Sequence, residues 1–169
     1  MSIRTLVQLE KHQFRDEYIS LRVASEPVTS FNSEVHAAIA DLIDTLKSHK
    51  IAVGLAGPQI GIPLRISVIN ISKGKTGPTL VLVNPKIVES SRQTELKHES
   101  CMSLPHVKGK VDRPLKIRVT FLDEHEKPQT LRAEGFLARV ICHEVDHLDG
   151  VLYVDRMSGS SELEASDIF

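Results

Sequence analysis

The sequence predicts an α+β fold in one domain. Strand-like segments gather in the middle of the chain and helical periodicity marks both flanks, unlike the strand–helix alternation of α/β proteins. A length of 169 residues is enough to bury one core, and 2 cysteines are too few for a disulfide scaffold.

The first helix is expected over 34–47, where Val35, Ile39, Leu42, Ile43 and Leu46 recur at three- and four-residue steps. Asn32 or Ser33 can cap its start. In the VGLAGPQIGIP stretch that follows, Gly54, Gly57, Pro58, Gly61 and Pro63 argue against a regular element. Strands are expected over 64–71 and 79–88, on either side of the turn-rich SKGKTGP. Leu115, Ile117, Val119 and Phe121 alternate with polar residues, the period of a half-buried strand, and DEHEKP turns the chain into a short strand over 129–133. The last helix is expected over 135–148, stopping near Gly150. The small, acidic SGSSELEASDIF is expected to fray, which divides the chain into a folded unit, 1–157, and a flexible tail, 158–169.

Composition excludes several classes of function. With 41% apolar and 25% charged residues the chain reads as globular, and a net charge of -1 with no basic helix argues against strong nucleic-acid binding. No apolar run approaches the roughly 18 residues a membrane helix needs. The opening MSIRTLVQLEKHQF lacks the apolar core of a signal peptide, so a cytoplasmic setting with reduced cysteines is expected.

The chemistry concentrates on the last helix. His143-Glu144-Val145-Asp146-His147 is an HExxH sequence, and a spacing of four residues sends both imidazoles out of one helix face, where they can grip one metal ion. Glu144 stands beside them, placed to handle the proton of a water without ligating. Phe136, Val140, His143 and His147 share a stripe expected to face inward, and the neighbouring stripe of Leu137, Ile141, Val145 and Leu148 is apolar too. A metzincin would carry a third His where this chain has Tyr153, and only a short tail remains downstream for another ligand, so the third ligand must lie upstream. Cys101, in Glu99-Ser100-Cys101-Met102-Ser103, is the best candidate: one thiolate and two imidazoles leave a fourth position open, as catalytic sites do. Cys142 points about 100° around the helix from His143 and reads as a small buried hydrophobe.

Three segments stand in order: Gly54-Leu55-Ala56-Gly57-Pro58-Gln59-Ile60-Gly61, Glu99-Ser100-Cys101-Met102-Ser103 and His143-Glu144-Val145-Asp146-His147. Together they resemble the three signature motifs of the peptide deformylases, and the resemblance runs from Leu21 to Met157. It implies a compact arrangement of three small, mostly antiparallel sheets around the HExxH helix. It also implies a metal-dependent hydrolase that removes the formyl group from the initiator methionine of nascent peptides and releases formate. It implies Cys101, His143 and His147 as metal ligands and Glu144 as general base and later acid. Gln59 and the backbone N–H of Met102 are implied as donors to the developing oxyanion. The implied metal is Fe(II), with Zn(II), Ni(II) or Co(II) as substitutes; a Cys/His2 set suits Zn(II) thermodynamically at least as well.

Val53, Gly54 and Leu55 are expected to pair with the substrate backbone as an added strand, with Val53, Val140 and His143 lining the methionine pocket and Ser100 facing the substrate. Arg139 is expected to snorkel outward, and Glu99 and Arg113 to form a supporting ion pair. His98 and His106 are expected either at the surface or beside the metal ligands as supporting residues. The chain departs from the motifs at Ala52 and Ser100, each in place of a glycine, at Gly57 in place of an alanine, and at Met102 in place of a leucine. Ala52 and Ser100 are expected to crowd the substrate's approach, and Gly57 to loosen the loop that holds Gln59. The expected protein is a monomer. The alternative is a divergent paralogue, weakly active or inactive, that binds formyl-methionyl peptides or a partner; Glu144 and Gln59 weigh against it, because binding alone needs no base. An HExxH peptidase is disfavoured by the missing downstream ligand.

Overall fold

The computed structural model describes residues 2–14, 19–72, 76–157, 159 and 162–169, so part of the SKGKTGP turn lies outside the described residues. Helix α1 (Ser33–Ser48) begins where the Asn32 side chain accepts the amides of Glu34 and Val35 at 3.1 and 3.0 Å. Its apolar face, Val35, Ala38, Ile39, Leu42 and Leu46, is buried. Asp41 and Thr45 are buried as well, and the N-terminal segment satisfies them: Ser2 donates its amide to Asp41 at 2.7 Å, Arg4 its Nε to Asp41 at 2.7 Å, and the Arg4 amide reaches Thr45 at 2.9 Å.

Strands β1 (Gly54–Ala56), β2 (Ile66–Ile69), β3 (Leu80–Ser90), β6 (Lys116–Leu122) and β7 (Pro128–Glu134) form one antiparallel sheet in the order β1-β2-β3-β6-β7. Strands β4 (Thr94–Cys101), β5 (Leu104–Pro114) and β8 (Glu164–Ala165) form a second, in the order β4-β5-β8. Helix α1 closes a core with β1, β2 and β3 that includes Leu42, Leu55, Ile66 and Val83. Helix α2 (Gly135–Leu148) buries Ala138, Ile141 and Val145 against Val119, Ala133 and Leu82 in a second core. Strands of both sheets touch α2, so the HExxH helix is central, as expected; among the described residues there are two sheets rather than three.

Three expectations change, and one strand pair had no reading in the sequence. The VGLAG stretch is regular after all: Gly54, Leu55 and Ala56 pair with Ile69, Val68 and Ser67. Strand β4 shows no apolar alternation, because most of it is exposed; it is held to β5 by its ladder, in register from Thr94↔Pro114 to Ser100↔Lys108, while β5 buries Leu104, Val107 and Val111 in a third core. The segment expected to fray carries β8, which pairs Glu164 with Lys108 and Ala165 with Val107, and the chain stays attached beyond it through Ser166 N–H to His106 O at 3.0 Å and His106 N–H to Phe169 O at 2.9 Å. Phe136 lies 58% exposed rather than inside the stripe it was assigned to; it occupies the first turn of α2, ahead of the first buried residue of the helix, Ala138. The end of α2 falls as expected: Gly150 has φ 73°, and a Cβ there would stand 2.4 Å from the carbonyl oxygen of Arg22.

Candidate active site

The site lies where α2 meets the end of β4 and the turn after β1. His143 and His147 sit one turn apart on α2 with ring centroids 4.9 Å apart. The bend from β4 into β5 brings Cys101 beneath them, with its Sγ 3.2 Å from His147 Nε2. One ligand atom from each of Cys101, His143 and His147 can be chosen so that all lie within 4.8 Å of one another.

Electrostatics mark this as a cation site. Burial alone raises the Cys101 pKa, but the His147 and His143 imidazoles outweigh it and hold the thiol well below its usual range. Burial disfavours a charged His143 too, yet Cys101 and Glu99 hold its pKa well above the usual imidazole value. The pocket therefore favours positive charge between a thiolate and a carboxylate. His147 Nδ1 and Glu144 Oε2 are buried without a hydrogen-bond partner among the described residues, a costly state for polar atoms that border no ion, water or substrate. The donor set, its spacing and these orphaned atoms fit a divalent metal ion.

Around the donors the chain builds a rigid shell. Glu99 accepts His143 Nδ1 at 2.9 Å, which fixes the ring so that Nε2 is the nitrogen left for a metal. Arg113 clamps the same carboxylate through Nε and Nη2 at 2.9 and 3.0 Å, and Arg139 adds Nη1 at 2.8 Å. Arg113 Nη1 also reaches Asp146 at 2.6 Å, and Arg156 Nη2 reaches the other oxygen of Asp146 at 2.9 Å. Arg139 is thus buried instead of snorkelling outward, because a buried carboxylate and the Val111 carbonyl, at 3.0 Å, draw it in. The Glu99–Arg113 pair is a buried, bidentate member of the site, as expected.

Gln59 is buried and oriented. Its Oε1 accepts the Ala56 amide at 2.9 Å, which leaves Nε2 to face Cys101 Sγ at 3.4 Å and Ser103 Oγ at 3.2 Å. The loop that carries it is not loosened by Gly57: a Cβ there would stand 2.7 Å from the carbonyls of Ile62 and Leu64, and Ile62 donates its amide to Gly57 O at 3.0 Å. The N-terminal segment pins the same region, a contact without a sequence signal: Val7 donates to Gln59 O and Leu9 to Ser103 O, both at 2.8 Å, and Gln8 Nε2 to Met102 O at 3.1 Å.

A cleft of about 200 Å³ opens onto these groups, with Val53, Gly54, Ser100, Met102 and Val140 among its lining residues. Leu55 is not among them. It is 0% exposed and faces the core under α1, since alternation along β1 turns its side chain away from the cleft. Strand β1 is the edge of its sheet, so an extended peptide can add beside it. Gly54 is required by contact: a Cβ would stand 2.2 Å from Glu144 Oε1. Gly54→Ala is expected to displace the Glu144 carboxylate and lower kcat/KM about 100-fold while metal content stays at wild-type level. Wild-type turnover in that variant would show that Glu144 can move freely. Burial pushes Glu144 itself up to about 7, and Cys142 is a buried thiol pushed up to about 11, away from the ligand group. His98 and His106 are exposed, the first of the two places expected for them.

A thiolate and two imidazoles, flanked by a buried carboxylate outside the ligand group, form the donor set of a mononuclear metallohydrolase. The polypeptide deformylase family model matches residues 8–162. The chain belongs to this family. It is 38% identical over 139 residues to the peptide deformylase of Rhizobium meliloti (strain 1021), covering 82% of this chain and 79% of that one. It is 41% identical over 136 residues to peptide deformylase 2 of Clostridium acetobutylicum, covering 80% and 87%. The crystal structure of a peptide deformylase from Legionella pneumophila superimposes with a TM-score of 0.83 at 39% identity, covering 94% of this chain and 88% of that one. That of a peptide deformylase from Synechococcus elongatus in complex with actinonin gives 0.80 at 35%, covering 95% and 89%.

Proposed function

We propose that this enzyme removes the formyl group from the initiator methionine of nascent peptides, releasing formate and a free amine, with Cys101, His143 and His147 holding the metal and Glu144 moving the proton. The observation that carries the residue assignment is the Cys101–His143–His147 cluster, with the orphaned Glu144 carboxylate oxygen beside it.

A divalent ion held by Cys101, His143 and His147 would supply Lewis acidity, lowering the pKa of a water at the site toward neutrality. The Glu144 carboxylate takes the proton of the attacking water and returns it to the departing amine nitrogen. A pKa raised by burial to about 7 matches both halves of that task near neutral pH. Gln59 Nε2 and the Met102 backbone N–H donate to the oxyanion as the carbon becomes tetrahedral, and one such donor is worth about 3 kcal/mol in comparable sites. Gln59 is suited to this because its carbonyl oxygen is already committed to Ala56. Val53, Gly54 and the backbone of Leu55 pair with the peptide, Val140 packs against the methionine side chain, and Ser100 contacts the substrate backbone. Fe(II) is the assigned native metal, with Zn(II), Ni(II) or Co(II) able to replace it. We further assign residues 1–157 as the catalytic domain, with the segment through Phe169 docked on it, a monomeric state, a cytoplasmic setting and no strong nucleic-acid contact; a net charge of -1 supports the last. No helix among the described residues is long and apolar enough to cross a membrane.

The test is formate release from formyl-Met-Ala-Ser by protein purified without oxygen, with metal analysis. Formate release that stops after chelation and returns with Fe(II) is the expected result. Binding of the peptide without formate release would favour the non-catalytic paralogue, and cleavage of an unformylated peptide would favour a peptidase.

A further inference from the structure

The two oxyanion donors come from different sheets. Gln59 lies in the 3-10 turn Gly57–Ile60 that follows β1, and Met102 lies in the bend between β4 and β5. A third element joins them. Val7 donates its amide to Gln59 O and Leu9 its amide to Ser103 O, both at 2.8 Å, and Gln8 Nε2 reaches Met102 O at 3.1 Å. Two successive carbonyls of the bend are therefore held by the same short segment that holds Gln59. Ser103 closes the group, because its Oγ also accepts Gln59 Nε2 at 3.2 Å. The segment is itself anchored on both sides. Upstream, Ser2 and Arg4 bond to Asp41 and Thr45 of α1; downstream, Glu10 donates its amide to Gln13 Oε1 at 2.8 Å across the turn Lys11–Gln13. Its side chains straddle two cores: Leu6 packs against the one under α1, and Val7 and Leu9 against the one that holds Cys101 and Leu104.

We propose that Val7, Gln8 and Leu9 are positioning residues for the oxyanion: they clamp the Gln59 turn to the Met102 bend and so fix the spacing of the two donors. The proposal rests on the deformylase reading above and on the donor roles it gives to Gln59 and Met102. Donors of this kind work by standing in place before charge develops, and a misplacement of about 1 Å can cost about 100-fold in rate. The oxyanion forms only after the peptide has bound. Loosening the clamp should therefore lower kcat and leave peptide affinity alone, whereas a segment that merely holds the fold together would lower stability and binding as well.

The experiment measures kcat and KM for formate release from formyl-Met-Ala-Ser in the wild type, Gln8→Leu, Val7→Pro and the control Thr5→Ala, an exposed residue of the same segment. Gln8→Leu removes a donor at an exposed position, and Val7→Pro removes the amide that reaches Gln59 O. Expected are a fall in kcat of about fivefold in Gln8→Leu and about 20-fold in Val7→Pro, with KM and metal content near wild type. Thr5→Ala should match the wild type. Calorimetry in the Glu144→Gln background should give equal peptide affinity with and without Gln8→Leu. Val7 acts through Gln59, so Val7→Pro should cost less than about twofold once Gln59→Leu has removed that donor. A kcat for Gln8→Leu within about twofold of the wild type would overturn the proposal, whether or not Val7→Pro folds. So would a Val7→Pro cost retained in full beside Gln59→Leu, or a fall in kcat matched by loss of metal or of peptide affinity. These results leave the deformylase reading intact, whereas a wild type that releases no formate would overturn both.

Discussion

Glu144→Gln is expected to cut kcat for formate release about 1000-fold, inside the range of 10²–10⁴ that positioned acid–base groups supply, while the protein keeps its metal and still binds formyl-methionyl peptides. The substitution is near-isosteric and leaves all three donor atoms of the Cys101–His143–His147 group in place. It removes only the group able to take a proton from water and return it to the amine. Gln also suits the pocket sterically, since Glu144 is buried among neighbours as close as Gly54 and burial already works against its charge. Melting temperature should therefore stay near the wild-type value, and metal content measured by mass spectrometry should stay near one ion per chain. Turnover within tenfold of the wild type would remove Glu144 from the mechanism. A loss of metal together with activity would instead make it a ligand or a structural support.

The metal group was legible in the sequence because helical geometry fixes what HExxH can do. Two imidazoles one turn apart share a face whatever the rest of the fold is, and a third ligand had few upstream places to come from. What surrounds that group was less legible. Arg139 falls among apolar residues on α2, and nothing local says that a buried Glu99 from another sheet will draw it inward. Strand β4 carries Cys101, yet most of it is exposed and shows no two-residue apolar period, while the buried face of β5 includes Gly109 and Arg113 among Val107 and Val111, which hides its alternation. The tail looked like a solvated end by composition, but six residues, from a paired Glu164 to an apolar Phe169, dock by contacts distant in sequence. Leu55 shows the limit of reading a motif as a unit: alternation along β1 sends neighbouring side chains to opposite faces, so one motif serves the cleft and the core at once.

Glu99→Gln is expected to be the most destabilising single change in the site, by roughly 3–5 kcal/mol, the cost of leaving buried ionic partners uncompensated. The Glu99 carboxylate accepts from Arg113, Arg139 and His143, with one oxygen shared by the Arg113 Nε and Arg139 Nη1 groups. Burial opposes its charge, yet hydrogen bonds from His143 and Arg113 hold its pKa well below the usual carboxylate range. Gln keeps the size but offers one acceptor oxygen instead of two, and no charge. Arg113 would retain Asp146, whereas Arg139 would keep only an uncharged amide oxygen and backbone carbonyls as partners, with no carboxylate left beside it. At about 2–4 °C per kcal/mol for a chain of this size, the melting temperature should fall by roughly 10 °C. The same change removes the acceptor that orients His143, so metal affinity should fall about 10- to 100-fold even where the protein remains folded. A double-mutant cycle separates the two consequences. Pairing Glu99→Gln with Arg139→Met should recover part of the stability, because the unpaired cation is gone, and recover none of the metal affinity, because the His143 contact is still missing. Recovery of both together would mean that the Glu99 carboxylate supports the metal site only by keeping the protein folded.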